Sequence, residues 1–265
     1  MTKFGLGTAL LCVGLINSAY GLEATVERSS LFSLNAGDVI EDAGTITVIS
    51  KASSRTEAFE TIRHQDGTRT ITSVMTDSDG AYRVEGRWSY DDTGLTSLAQ
   101  GRGSYNGVPV EVEIATDPPT ATLSVKVGGQ ERTVTTPCSE DCFIDLSPSV
   151  MAMFAITRQF TANSQDTKSF QWIGQALHRD VTLTEGGRSD VRLHGTHTLH
   201  GLTVLQFLFY ETLPGAENAE AVEAAFNLYV DATYRPLAFA TSRGTIATRS
   251  GFETVIQSLP PVFNE

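Results

Sequence analysis

The sequence is poor in cysteine and in basic residues. It contains 3 cysteines among 265 residues, and 19 Lys and Arg face 31 Asp and Glu, which gives a formal net charge of −12. A deficit of cations argues against nucleic-acid binding, because neutralising a phosphate backbone requires Lys and Arg. The same deficit disfavours docking on anionic lipid head groups.

The motifs of several well-known catalytic and metal sites are also absent. The sequence has no G-x-S-x-G nucleophile elbow, no G-x-x-x-x-G-K phosphate loop, no H-E-x-x-H zinc motif and no G-x-G-x-x-G at the start of a helix. We therefore predict no catalytic residue, no cofactor and no metal site. A hydrolase or isomerase that acts in a cleft stays open as an alternative.

The first 21 residues have the features of a secretory signal peptide. Lys3 is followed by an apolar run, 4–16, that is short for a membrane span, and Ala19 and Gly21 form a small-residue cleavage pattern. We expect residues 1–21 to be removed and residues 22–265 to form a single β-rich domain in the periplasm or outside the cell. Removing Lys3 leaves 18 basic residues against 31 acidic ones.

Two cysteines, Cys138 and Cys142, remain after the leader, because Cys12 lies within its apolar run. In an oxidising compartment the simplest interpretation is a disulfide that closes the small loop between them. A redox-active pair is the alternative, but Glu140 and Asp141 oppose the thiolate that such a pair requires. No His or further Cys flanks the loop at the spacing of a metal site.

Period-two alternation dominates residues 44–136 and indicates β-strands with one wet face. A clear example is Val84, Gly86 and Trp88 against Glu85 and Arg87. Turn sequences rich in Gly, Asp and Asn separate these runs. We therefore predict a mainly β fold, with a curved antiparallel sheet that forms a half-barrel or open barrel around one central apolar helix.

The central helix is predicted over Val150 to Phe160. Ser147 is expected as its N-cap and Pro148 as its first helical residue. Because Met adapts to irregular apolar shapes, this helix is interpreted either as a deformable lid over a cavity or as a helix packed into the core.

The segment 202–210 is apolar on both faces of an expected strand. Leu202, Val204 and Leu208 face one way, while Phe207 and Phe209 face the other. Such a strand needs cover on both sides, by the main core on one and by a helix or a bound ligand on the other. A last strand is expected over 252–256.

Three histidines, His194, His197 and His200, lie close together in sequence. Along a strand His194 and His200 would project to one face about 20 Å apart, and His197 would point to the opposite face. The spacing therefore does not predict a zinc site.

The chain resembles the LolA/LolB-type family of bacterial lipoprotein and lipid carriers. The resemblance is one of pattern over residues 40–257: a long meander, an apolar helix after a short loop, and a return to strands. The nearest local similarity is Leu228-Tyr229-Val230-Asp231, which leads to Arg235-Pro236-Leu237. The resemblance implies a half-barrel whose apolar cavity is capped by helices and receives acyl chains.

These observations favour an exported binding protein that holds a hydrophobic small molecule, a lipid or an acyl chain between the sheet and the helix. The alternative partner is another envelope protein, engaged by exposed strands; nucleic acid is not expected. The residues expected to line the ligand cavity are Met153, Phe154, Phe160, Leu205, Phe207 and Phe209.

The leader and the disulfide are tested together by intact-mass spectrometry of protein exported by a Gram-negative host. We expect the mature chain to begin at Leu22 and to take up a thiol-alkylating reagent only after reduction. Retention of residues 1–21 would contradict the first expectation, and alkylation without reductant would contradict the second.

Overall fold

The computed structural model describes residues 28–51, 53–77, 83–91, 93–105, 107–147, 149–161, 166–176, 187–212 and 222–263. The expected leader, residues 1–21, lies outside them. The strands are β1 Val39–Ile49, β2 Ser54–Arg63, β3 Arg69–Asp77, β4 Arg83–Tyr90, β5 Thr96–Tyr105, β6 Val108–Asp117, β7 Thr120–Val127, β8 Gln130–Pro137, β9 Cys142–Ser147, β10 Thr167–Ala176, β11 Arg188–Leu199, β12 Leu202–Thr212, β13 Val222–Asp231, β14 Pro236–Thr241 and β15 Ile246–Arg249. The helices are α1 Met151–Ile156 and α2 Val255–Ser258.

All of these strands belong to one 15-stranded sheet with the order β8-β7-β6-β5-β4-β3-β2-β1-β15-β14-β13-β12-β11-β10-β9. Neighbours are antiparallel except β9 and β10, which are parallel. The first eight strands cover the segment in which alternation was recognised, so the predicted fold class, a mainly β open curved sheet with a short helix, is confirmed.

The sheet curls so that the strand at one edge contacts the inner face of the same sheet. The edge strand β9 contacts β5, although β5 is already hydrogen-bonded to β4 and β6, so the contact is made through a face of β5. On that face Ala99, Gly101 and Gly103 of β5 are small, which leaves room for β9. Strands β6–β8 continue past this point of overlap.

The central helix exists but is shorter than expected. It covers Met151–Ile156 and is followed by a 3-10 turn over Thr157–Gln159. The expected cap was also wrong, because Ser147 belongs to β9, and the Ser149 hydroxyl accepts the Met151 N–H at 3.1 Å. The helix lies inside the curled sheet with five of its six residues buried. Neither helix in the described part of the chain is long and apolar enough to cross a membrane.

A buried carboxylate attaches the start of α1 to β2. Glu57 is fully buried, and its side chain accepts hydrogen bonds from the Ser149 hydroxyl and from the Val150 N–H, the latter at 3.2 Å. The Ser73 hydroxyl of β3 is a further partner, and burial raises the pKa of Glu57. Because a buried polar group is costly without such bonds, this cluster determines where the helix enters the interior.

The expected last strand over 252–256 is wrong, because this segment ends in helix α2. The segment covers the outer face of β12–β14, where Phe252, Ile256 and Leu259 pack on a second apolar cluster of Val204, Tyr229, Leu237, Ala238 and Val255. Leu205, Phe207 and Phe209 belong to the interior cluster. The two apolar faces of β12 are therefore confirmed, and on the outer side the cover is the chain's own C-terminal segment.

Hydrogen bonds hold this C-terminal cover in place. The Asn227 side chain donates to the Val262 carbonyl at 2.8 Å and accepts from the Val262 N–H at 3.1 Å. The Tyr229 hydroxyl donates to the Leu259 carbonyl at 2.8 Å. Gln206 completes the network by donating to Asn227 at 2.8 Å.

Replacing Asn227 by Ala should destabilise the protein by about 2–3 kcal/mol, because this fully buried side chain makes two hydrogen bonds to the backbone of Val262 and accepts one from Gln206. The free energy of unfolding from urea denaturation measures the effect. Ser97→Ala, at an exposed position of β5, is the control and should change stability by less than about 0.5 kcal/mol. Equal stability of the two variants would show that the C-terminal segment is not held as described.

Candidate functional site

The six residues expected to line a ligand cavity lie in the main interior cluster. Phe154, Phe160, Leu205, Phe207 and Phe209 are buried within it, and Met153 packs on it from a half-buried position. The rings of Phe160 and Phe207 are 5.3 Å apart between centroids. Phe154 also lines a crevice of about 10 Å³, which holds about one water molecule. In this structure these side chains therefore fill the space between the helix and the sheet.

The two cysteines of the expected disulfide lie together at the start of β9. Both are buried thiols in this structure, and their side chains hydrogen-bond each other. Burial raises the pKa of Cys142, which opposes the thiolate that redox chemistry requires. The disulfide itself stays a prediction.

A polar pocket of about 190 Å³ lies where β1, the 3-10 turn after α1 and the β13–β14 turn meet. We name it the Arg158 pocket. Arg158 projects into it from the 3-10 turn after α1, and Arg235 from the turn before β14. Its walls are Glu41, Asp42, Arg158, Thr233 and Arg235.

Both carboxylates in this pocket are already neutralised by other arginines. Glu41 forms ion pairs with Arg69 at 2.8 Å and with Arg63 at 3.1 Å. Although burial opposes its ionisation, the hydrogen bond and charge of Arg69 hold the pKa of Glu41 below its usual value. Asp42 makes a two-pronged pair with Arg249, at 2.7 and 2.9 Å.

Arg158 and Arg235 are left without a direct acceptor. Neither guanidinium makes a hydrogen bond or an ion pair with any residue that the structure describes, and Arg158 interacts with Glu41 and Asp42 only through space. Burial, followed by the charge of Arg69, lowers the pKa of Arg158. A partly desolvated guanidinium beside another cation gains from an added negative charge, so the pocket is suited to an anionic group.

The turn before β14 holds Arg235 at the rim of the pocket. The Asp231 side chain accepts the N–H of Thr233 at 2.7 Å and that of Arg235 at 3.0 Å. Tyr234 has a left-handed φ of 63° and donates its hydroxyl to the Phe160 carbonyl. The segment that carries the LolA/LolB-like similarity therefore forms one wall of the site.

A crevice of about 10 Å³ runs inward past Arg158 to Tyr90. The Tyr90 hydroxyl is buried and has no hydrogen-bond partner among the described residues. Gly94 also lines the crevice; its φ is +90°, and a Cβ there would come within 2.7 Å of the Ala155 carbonyl. Only glycine permits this approach of the β4–β5 turn to α1. The crevice thus places this hydroxyl donor behind Arg158.

One hydrogen-bonded row has the composition of a hydrolase triad. Asp38 lies 2.9 Å from His64 Nδ1, and Thr70 Oγ1 lies 2.8 Å from His64 Nε2. Thr70 is only 1% exposed, so its hydroxyl cannot meet a substrate in this conformation. These hydrogen bonds instead connect the chain just before β1 to the β2–β3 hairpin.

A second, larger groove of about 330 Å³ lies on the outer face of β5–β8. Two polar contacts lie along it: Gln100 donates to Glu113 at 2.8 Å, and Arg102 lies 3.5 Å from Glu111. The side chains of Arg102 and Glu111 are about half exposed, so the groove is a solvated surface.

The three histidines do not converge. His194 and His197 lie in β11 and His200 in the following turn. His197 Nε2 is 3.1 Å from Gln206 Oε1. Within the described residues no three His, Cys, Asp or Glu side chains are placed to hold a metal ion.

Asp145 is a half-buried acidic side chain of β9. Burial raises its pKa to about 7, with smaller contributions from the charges of Glu211 and Glu57. Its Oδ1 has no hydrogen-bond partner among the described residues.

Sequence reasoning did not single out Arg158 or Arg235. One signal was available for Arg158, which is the only charged residue between Ser147 and Phe160. A lone arginine in an apolar helix is costly unless its guanidinium reaches water or a ligand. Arg235 carried no comparable signal, because its role depends on which turns meet at this end of the sheet.

No family model and no curated protein matches the chain. Two solved structures are similar in fold. A DUF1089-family protein from Pseudomonas aeruginosa is 11% identical, with 79% of this chain and 95% of that one covered and a TM-score of 0.41. A β-barrel-like protein of domain of unknown function DUF1849 from Brucella abortus is 7% identical, with 80% and 97% covered and a TM-score of 0.48. Neither is described as a LolA or LolB protein, so that relation stays a resemblance of pattern.

Replacing Asp145 by Asn should alter how stability depends on pH. Because the folded-state pKa is raised, the folded protein binds this proton more tightly than the unfolded chain. The resulting stabilisation is complete below about pH 4 and is lost as the pH rises through about 7. The wild type should therefore lose roughly 2–4 kcal/mol more unfolding free energy than Asp145→Asn between pH 4 and 8.

Urea denaturation at several pH values measures this difference. Asp117→Asn, at an exposed position at the end of β6, is the matched control and should keep the pH dependence of the wild type. Parallel stability curves for Asp145→Asn and the wild type would contradict the assignment.

Proposed function

We propose that the chain is an exported binding protein that takes a small organic anion, or the anionic head of an amphiphile, in the Arg158 pocket. The observation that carries the proposal is the pair of guanidinium groups, Arg158 and Arg235, that line one pocket without a direct acceptor. Arginine suits this role because its planar fork matches carboxylate and phosphate oxygens.

The charge of the surroundings supports selectivity for an anion. The chain carries a net charge of −12, yet in this pocket Glu41 and Asp42 are paired with other arginines. An anion is repelled by most of the surface and attracted here, so local charge favours binding at this end of the sheet.

The volume and the walls of the pocket restrict the ligand further. The pocket of about 190 Å³ is smaller than the roughly 300–1,000 Å³ of typical drug-sized sites. The adjoining crevice has apolar walls formed by Ile71, Phe154, Ala155 and Pro236. We therefore propose that the charged group binds at the arginines and that a short apolar part contacts these walls. A long acyl chain, the earlier expectation, would require α1 to move.

Isothermal titration calorimetry with inorganic phosphate and with octyl phosphate tests the proposal. Arg158→Gln and Arg235→Gln should each weaken binding of octyl phosphate by about 10- to 100-fold, because each removes a charge-assisted hydrogen bond. Arg102→Gln, which removes the same charge from the outer face of β5, should bind as the wild type does.

The two probes distinguish the possible sources of the anion. Tighter binding of octyl phosphate than of inorganic phosphate supports an amphiphile, and equal binding supports a free anion. Binding that is insensitive to both arginine substitutions would contradict the site. Recovery of the protein in the cytoplasmic fraction alone would contradict export.

A further inference from the structure

The two edges of the sheet are in different environments. The edge strand β9 is buried against β5, whereas β8, at the other edge, pairs only with β7 among the described strands. Residues 130–135 of β8 are all exposed, including Val134 at 38%. The unpaired side of β8 is therefore open to another strand.

The register of the β7–β8 hairpin shows which backbone groups of β8 point outward. A two-residue turn, Gly128-Gly129, joins Val127 to its partner Gln130, and pairing continues without a register shift. The Cys138 N–H donates to the Pro119 carbonyl at 3.0 Å. Because hydrogen-bonded pairs alternate along an antiparallel ladder, even-numbered residues of β8 bond to β7. The N–H and C=O groups of Glu131, Thr133 and Thr135 point away from the sheet.

This edge carries two charged residues, Glu131 and Arg132, at its start, but few other features that usually prevent strand addition. It contains no bulge and no lysine, and its only proline, Pro137, is its last residue. The run 133–136 is composed of Thr and Val, which have high β-propensity. An edge of this kind favours pairing with another chain.

We propose that β8 pairs with β8 of a second copy of this chain, antiparallel, with Thr133 opposite Thr133 of that copy. The pairing has two-fold symmetry and joins the two sheets edge to edge. The outward N–H groups of each copy then face the outward C=O groups of the other, and this surface is separate from the Arg158 pocket.

The sequence of β8 selects this register over its neighbours. When the pairing is centred on Thr133, Arg132 lies opposite Val134 of the second copy, and no like charges face each other. Centring on Arg132 would place two arginines opposite each other, which is destabilising. Centring on Val134 would require a hydrogen bond from the N–H of Pro137, which proline lacks.

Cysteine cross-linking tests the register. Paired residues at the two-fold axis have Cα atoms about 5.5 Å apart, within the roughly 4.4–6.8 Å that a disulfide requires. Thr133→Cys should therefore give a reducible covalent dimer under mild oxidation. In Thr135→Cys, the matched control, the two new cysteines would lie about 14 Å apart along the strands and should stay unlinked, as should the parent protein. Equal cross-linking of the two variants would overturn the proposal.

Sedimentation equilibrium of the parent protein, up to about 1 mM, tests the association itself. We expect a reversible dimer that strengthens with added salt, because each copy carries a net charge of −12. Thr133→Pro removes only an outward N–H and should weaken the dimer at least about 10-fold. Thr133→Val should keep it, and thermal melts should show both variants folded. A parent that stays monomeric at every concentration and salt would overturn the proposal.

Discussion

The structure depends on how the interior of one long curled sheet is filled. A 15-stranded sheet that curls onto itself encloses a space that must be occupied, since a void forfeits packing contacts. Helix α1 occupies it, and the buried carboxylate of Glu57 binds Ser149 and Val150 just before the helix begins. The position of α1 then determines the position of Arg158, which follows one turn later and reaches the end of the sheet.

The outer face of the sheet is covered in part by the two ends of the described chain. Residues 28–38 cross the outer side of β2–β5, where Ser30 donates to Glu85 at 2.6 Å and His64 binds Asp38. At the other side the C-terminal segment packs on β12–β14 through Asn227 and Tyr229. Among the described residues, strands β6–β8 receive no such cover from the C-terminal segment, and β8 pairs only with β7.

The Arg158 pocket lies where β1, the 3-10 turn after α1 and the β13–β14 turn meet, and its chemistry comes from an uneven distribution of charge. Arg63, Arg69 and Arg249 neutralise the two carboxylates of the pocket. Arg158 and Arg235 are in excess, and the Tyr90 hydroxyl, which has no hydrogen-bond partner among the described residues, lies in the crevice behind Arg158. Such an arrangement is compatible with a binding protein.

Local sequence determined the strands, the turns and the existence of the central helix. The alternation around Trp88 and the two apolar faces of β12 follow from a side-chain period of two, which any extended segment obeys. The sequence failed where long-range contacts decide the outcome. Residues 255–258 are helical where the segment covers a particular outer surface, and α1 begins after Ser149 because Glu57, 92 residues earlier in the chain, binds that hydroxyl. Arg158 and Arg235 are 77 residues apart and share a pocket only because the sheet curls and brings their turns together, a consequence of tertiary packing that no local period encodes.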